Sequence, residues 1–188
     1  MKSEQLLKSV KIISGDELDR TYRRLAHQFV EPHDDLQNLA VVGMQTRGVP
    51  IAKRVCKYIK EYYQIELPFG VLDVTFYRDD FRSALKMPTV KVTEIPFDIY
   101  GKDLILVDDV LYTGRTVRSA MDALTSYGRP KSIRFCCMVD RGHRELPISA
   151  DYVGVNIATH IQEEVRVHVA ELDGDDAVYL IENPELPE

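Results

Sequence analysis

The sequence predicts an α/β fold with a central, mainly parallel sheet flanked by helices, and three observations carry that expectation. Residues 39–42 and 104–107 are short apolar runs, and 133–139 is a third, interrupted only by Arg134. They are too brief for helices and too uniformly apolar for strands with one wet face, which is the pattern of parallel strands covered on both sides. Behind the first two runs, Ala52, Val55, Cys56 and Ile59, then Val117, Ala120, Met121 and Leu124, recur at helical spacing. Finally, 188 residues with 45% hydrophobic content and no Gly/Ser/Pro-rich linker suffice for one good core, so residues 1–188 are expected to form one domain.

Taken in order, Ser14-Gly15-Asp16-Glu17 has the form of a capping box, and Leu18, Tyr22, Leu25, Ala26 and Phe29 give the following helix, residues 15–30, an apolar face. Its other side carries Arg20, Arg23, Arg24 and His27, a pattern that usually marks a solvated face. The strand at 39–42 runs into Gly43-Met44-Gln45-Thr46-Arg47-Gly48-Val49-Pro50, where Pro50 suits a first helical turn. Residues 71–76 alternate weakly and read as a strand. From Tyr77-Arg78-Asp79-Asp80 to about Pro96 the chain is charged and irregular; segments this long are often lids, and the alternation over 90–93 equally fits an antiparallel hairpin. Gly128 stops the helix that begins near Arg115, and the strand at 133–139 delivers Asp140-Arg141-Gly142-His143-Arg144 to its end. Val165, Val167 and Val169 alternate with Arg166 and His168, and Asp173-Gly174 turns the chain into 177–181. That hairpin, paired with a short strand at 10–13, is expected to form a small hood, drawn from about 9–14 and 140–183, over the strand ends.

The stretch from Asp103 to Leu124 holds the chemistry. A buried strand ends in Asp108-Asp109, followed by Val110-Leu111-Tyr112 and then Thr113-Gly114-Arg115-Thr116 at a helix start. Amides at a helix N-terminus, with hydroxyls beside them and a glycine to permit close approach, suit a phosphate. Two ionised carboxylates accept hydrogen bonds from vicinal hydroxyls. Hydroxyls at the start of a loop and phosphate at its end describe a ribose 5-phosphate. The plainer alternative is an acid near a helix dipole, which needs only one carboxylate. No G-x-x-x-x-G-K-[ST] or G-x-G-x-x-G occurs, which argues against P-loop hydrolysis and dinucleotide binding. Arg47 reads equally as an exposed arginine or as a forked donor for an anion.

Composition excludes little else. The polar N-terminus has no signal-peptide core and no apolar run reaches ~18 residues, so a cytoplasmic protein without membrane association is expected. Three cysteines, without Cys-x-x-Cys spacing, read as buried thiols in a reducing compartment. The formal net charge of −6 opposes broad non-specific nucleic-acid binding but not a local basic face.

Val-Asp-Asp-Val-Leu-Tyr-Thr-Gly-Arg-Thr, with Tyr77-Arg78-Asp79-Asp80 and Val139-Asp140-Arg141-Gly142-His143-Arg144-Glu145-Leu146-Pro147, resembles the bifunctional pyrimidine operon regulatory protein/uracil phosphoribosyltransferase family across roughly residues 10–183. The resemblance implies a type I phosphoribosyltransferase fold, with a flexible loop at about 77–96 that closes over phosphoribosyl diphosphate (PRPP). It implies conversion of uracil and PRPP to UMP and diphosphate with magnesium, held mainly through diphosphate and ribose hydroxyls. Catalytic roles fall to Asp108, Asp109, Arg47 and Arg78; substrate contacts to Thr46, Arg47, residues 108–116, Arg141, and Val165 as a hood contact to the base. Binding of a pyrimidine operon mRNA hairpin, with UMP, would use Arg23, His27 and Arg144, and the family forms homodimers or larger assemblies. Two positions where the family carries basic residues are Ser149 and Val155 here, so RNA affinity is expected to be reduced or lost. Two other readings remain open: an RNA-binding regulator that uses the PRPP site as a nucleotide sensor, and a phosphoribosyltransferase for a purine.

Overall fold

The structure, a computed structural model, describes residues 9–33, 35–74 and 92–182. The elements in order are β1 (Ser9–Ser14), α1 (Gly15–Val30), β2 (Leu39–Met44), α2 (Gly48–Tyr63), β3 (Phe69–Leu72), β4 (Asp103–Leu111), α3 (Arg115–Thr125), β5 (Ser132–Asp140), β6 (Tyr152–Asn156), β7 (Glu163–His168), α4 (Ala170–Asp173) and β8 (Ala177–Glu182).

Five strands form a parallel sheet in the order β3-β2-β4-β5-β6. Its central strands are apolar on both faces because both are covered. On β4, Ile105 and Val107 join the cluster built with α1 and α2, while Leu104 and Leu106 join the one built with α3. Strand β2 divides in the same way, with Leu39 and Val41 on one side and Ala40 and Val42 on the other. Burying one such side chain is worth about 1.5–3 kcal/mol, so the uniform apolar runs follow from the layered arrangement.

At the front of α1 the capping box forms as expected: the Ser14 hydroxyl accepts from the Glu17 amide at 3.4 Å, and the Glu17 carboxylate accepts from the Ser14 amide at 2.9 Å. A second, antiparallel sheet in the order β1-β8-β7 is the hood. Its inner residues Ile13, Val165, Val167 and Val178 belong to the same cluster as α1 and α2, which seats the hood on the main body.

Three boundaries differ from the sequence expectation. The strand expected at 71–76 is β3, which starts earlier and ends at Leu72, held at its end by an antiparallel bridge from Val71 to Glu94. Residues 152–156, expected within the hood, pair in parallel with β5 instead, Cys136 opposite Tyr152 and Asp140 opposite Asn156. Parallel pairing is non-local, so a five-residue edge strand leaves little signal in its own sequence. The expected Asp173-Gly174 turn is the end of the four-residue α4, closed by Gly174 at φ +86°. Most of the expected lid, residues 77–91 of 77–96, lies outside the described residues, as do the last two residues of the strand expected at 71–76. Among the described residues no helix is long and apolar enough to cross a membrane.

Candidate active site

The site grows from a difference in length between neighbouring strands. The last pair of β2 with β4 is Gly43 with Val107, whereas β4 continues beside β5 as far as Leu111 opposite Asp140. The carboxylates therefore do not close the strand, as the sequence suggested; they lie on it, because β5 continues to supply hydrogen-bond partners after β2 has turned away. Each is aimed by the next amide: Asp108 Oδ1 accepts from Asp109 N–H at 2.9 Å, and Asp109 Oδ1 accepts from Val110 N–H at 2.8 Å. Asp108 is buried and Asp109 half-buried. Such acceptors suit hydroxyl donors.

Beyond Leu111 the chain turns at Gly114, whose φ of +90° lies where a side chain is strained. Helix α3 then starts on Gly114, which has no side chain to cap it; the Arg115 amide donates to the Thr113 hydroxyl at 3.4 Å, and the next amides and the helix dipole face the loop. The Thr113 carbonyl accepts from the amides of Glu145 and Leu146 at 3.0 and 3.1 Å, which braces this turn against the segment after β5. Arg115 adds an ion pair to Glu145 at 2.5 Å.

The opposite wall is the loop from Gln45 to Gly48, containing a cis Gln45–Thr46 peptide. Gly48 opens α2 against the end of β4: a Cβ there would stand 2.3 Å from the Val107 carbonyl oxygen. That contact sets Arg47 beside the carboxylate strand. The Arg47 guanidinium makes a forked bond to Asp173, Nε to Oδ2 at 3.0 Å and Nη2 to Oδ1 at 2.6 Å. This bond raises the Arg47 pKa and holds the Asp173 carboxyl below its ordinary value. A neighbouring bridge runs from Arg54 to Glu171 and Asp176 at 2.6 and 2.7 Å, so helix α2 holds the hood turn at two points.

Arg141 forms the third side. It is 5% exposed, stacks over Tyr112 with its guanidinium carbon 4.1 Å from the ring centre, and donates to Thr159 Oγ1 and the His160 carbonyl at 3.3 and 3.2 Å. Burial lowers its pKa, opposed by Tyr112, Glu163 and Glu164. Above it, β7 is the edge strand of the hood, so among the described residues one side of its backbone has no strand beside it.

Together these walls enclose a cleft of about 1140 Å³. It is lined by Thr46, Arg47, residues 108–116, Arg141 and Val165, so the structure brings together the expected substrate-contacting residues that it describes. Arg78 lies outside the described residues. Gln45, Glu145, Glu164, Arg166, Val167, His168 and Asp173 also line the cleft and were missed. Asp173 read as a turn residue because its partner stands 126 positions away; only the acid-rich composition of residues 171–176 hinted at more.

The candidate RNA-binding residues are elsewhere, and each is already engaged. Arg23 bonds Asp19 at 2.8 Å and lies over the Tyr58 ring, and His27 Nδ1 meets Tyr63 at 2.7 Å while stacking on Tyr62. Arg144 donates to the carbonyls of Tyr112, Gly142 and Ile148 and pairs with Asp140, bracing the loop after β5. Burial pushes the Cys56 and Cys137 thiols up to about 12 and that of Cys136 well above its usual value, which leaves none as a nucleophile. Among the described residues no three carboxylate, imidazole or thiol groups converge on one point. Of the other carboxylates lining the cleft, Glu145, Glu164 and Asp173 pair with Arg115, Arg166 and Arg47, so what the cleft offers a cation is the Asp108-Asp109 pair; a magnesium ion there fits only if a ligand supplies most of its oxygens.

A conserved-domain comparison matches residues 14–172 to the phosphoribosyl transferase domain, and the chain belongs to that family. Within it the chain is similar to the bifunctional PyrR proteins. That of Deinococcus radiodurans is 48% identical over 175 residues, 93% of this chain and 96% of the relative. That of Thermus thermophilus is 50% identical over 172 residues, 92% and 95% of the two chains. Among solved structures, the hypoxanthine phosphoribosyltransferase of Staphylococcus aureus superposes with a TM-score of 0.68 at 22% identity, over 95% of this chain and 94% of that one. The Trypanosoma cruzi enzyme gives 0.68 at 15%, over 93% and 97%. At such identities the structures share the type I phosphoribosyltransferase fold.

Proposed function

We propose that the protein is a cytoplasmic uracil phosphoribosyltransferase that converts uracil and PRPP to UMP and diphosphate. The observation that carries this reading is the placing of the paired carboxylates, the uncapped start of α3 and the Arg47 loop around one cleft beneath the open edge of the hood. The α3 amides and the hydroxyls of Thr113 and Thr116 hold the 5-phosphate, and Asp108 and Asp109 accept from the ribose hydroxyls. As the bond from C1 to the diphosphate breaks, positive charge grows on the sugar ring, and the two carboxylates favour it. Arg47 neutralises the departing diphosphate. Bound magnesium, held mainly by substrate oxygens, supplies further charge neutralisation at the diphosphate. Uracil lies between the Arg141–Tyr112 stack and the β7 edge at Val165, where backbone groups that pair with no strand among the described residues are available to an amide-like base.

Diphosphate release with PRPP, magnesium and a panel of bases tests the proposal. Release with uracil and not with hypoxanthine or guanine is expected. Release with purines alone, or with no base, overturns it.

We further propose that the chain binds the pyrimidine operon mRNA hairpin more weakly than its PyrR relatives. Arg23, His27 and Arg144 are committed within the fold, Ser149 is neutral, and the uncharged Val155 packs against the core. Filter binding of a pyrimidine leader hairpin with UMP should give weak, strongly salt-dependent retention. Nanomolar, sequence-dependent binding at physiological salt contradicts this. A homodimer or larger assembly is the proposed solution state, and light scattering that gave a monomer mass would refute it.

A further inference from the structure

We propose that Asp173, on the hood, is a positioning residue for Arg47: it holds the guanidinium fork so that its remaining nitrogen, Nη1, faces the diphosphate. The inference rests on the proposed phosphoribosyl transfer and adds a residue to it. Arg47 bonds Asp173 through Nε and Nη2, one whole edge of the guanidinium, and among the described residues Nη1 has no hydrogen-bond partner. The arginine is fixed from both ends: its backbone sits immediately before Gly48, which is packed against β4, and its head is tied to the hood.

Asp173 is itself well anchored. Its side chain is 12% exposed and its Oδ2 also accepts from the Val169 amide at 2.9 Å, so the carboxylate is set by the α4 turn. A long arginine side chain held in place before substrate arrives loses less conformational freedom when it binds the leaving group. The same bond links the element that covers the base to the one that receives the diphosphate. The neighbouring Arg54 bridge to Glu171 and Asp176 also docks the hood on α2 but does not touch Arg47, which provides an internal control.

The test uses full-length wild type, Asp173→Asn, Asp173→Glu and Glu171→Gln, with steady-state rates against PRPP and uracil, diphosphate binding by calorimetry with magnesium, and thermal melts. For Asp173→Asn we expect KM for PRPP to rise roughly tenfold and kcat to fall by about ten- to a hundredfold, with KM for uracil unchanged. Diphosphate affinity should fall in parallel, Asp173→Glu should recover part of the loss by keeping the charge, and Glu171→Gln should leave the PRPP parameters at wild-type values. Wild-type kinetics in Asp173→Asn overturn the inference. Equal losses in Asp173→Asn and Glu171→Gln overturn it too, because they assign the effect to hood docking. If wild type releases no diphosphate with any base, the proposed function fails, and the diphosphate affinities of the variants still decide the role of Asp173.

Discussion

Replacing Gly48 by alanine tests how tightly the Arg47 loop must meet the carboxylate strand. The added Cβ would lie 2.3 Å from the Val107 carbonyl oxygen and 3.0 Å from the Asp108 Cα, and both are backbone atoms that no rotamer change can move. A carbon relaxes against a carbonyl oxygen at about 3.3 Å, so the start of α2 must retreat by roughly 1 Å. Overpacking of this kind costs about 1–3 kcal/mol. At roughly 2–4 °C per kcal/mol for a chain of this size, the melting temperature should fall by several degrees. A displacement of ~1 Å at a positioned group costs on the order of a hundredfold in rate. Circular dichroism melts and diphosphate-release kinetics read the two effects separately. An alanine variant with wild-type melting and wild-type kcat/KM for PRPP would refute the close-approach argument.

Other consequences follow from the same geometry. Asp108→Asn keeps the shape and the bond from Asp109 but removes the charge beside the sugar; kcat should fall at least a hundredfold, as expected for the loss of ~3–4 kcal/mol of transition-state stabilisation, with an unchanged far-ultraviolet spectrum. Ser14→Ala removes the α1 cap and should lower stability by about 1 kcal/mol in urea titrations, and an unchanged midpoint would count against the capping box. The bond from Arg47 holds the Asp173 carboxyl below its ordinary value of 3.8. A depressed pKa stabilises the folded state above the unfolded value, and the contribution fades as pH falls through the lower, folded value. Wild type should therefore exceed Asp173→Asn in stability near neutral pH and approach it as the pH drops well below about 4; a gap that does not change with pH would exclude the ion pair as its source.

Much of the architecture was legible because burial on both faces leaves a local trace. Residues 104–107 are apolar without interruption since helices cover both sides of β4, and the Ser14 box is a contact between residues three positions apart. The phosphate turn was legible for a similar reason, as its carboxylates, glycine and helix start are consecutive. Strand β6 was not, because among the described residues it pairs with β5 alone and the sequence of Tyr152–Asn156 carries nothing that separates it from the hood. The true end of β4 was hidden as well: whether Asp108 and Asp109 lie on a strand or after it depends on how far β5 extends beside them.

The amino-acid order alone determined the identities of the groups that meet a sugar phosphate and their spacing along one turn, since amides, hydroxyls and carboxylates within ten residues cannot separate far. Only the tertiary structure decided what stands opposite them. The pairing of Arg47 with Asp173, the stacking of Arg141 on Tyr112 and the seating of Gly48 on Val107 each join segments distant in the chain. Such contacts form where the packing of helices on the sheet brings strand ends and hood together, and no local pattern records which distant side chain will be met.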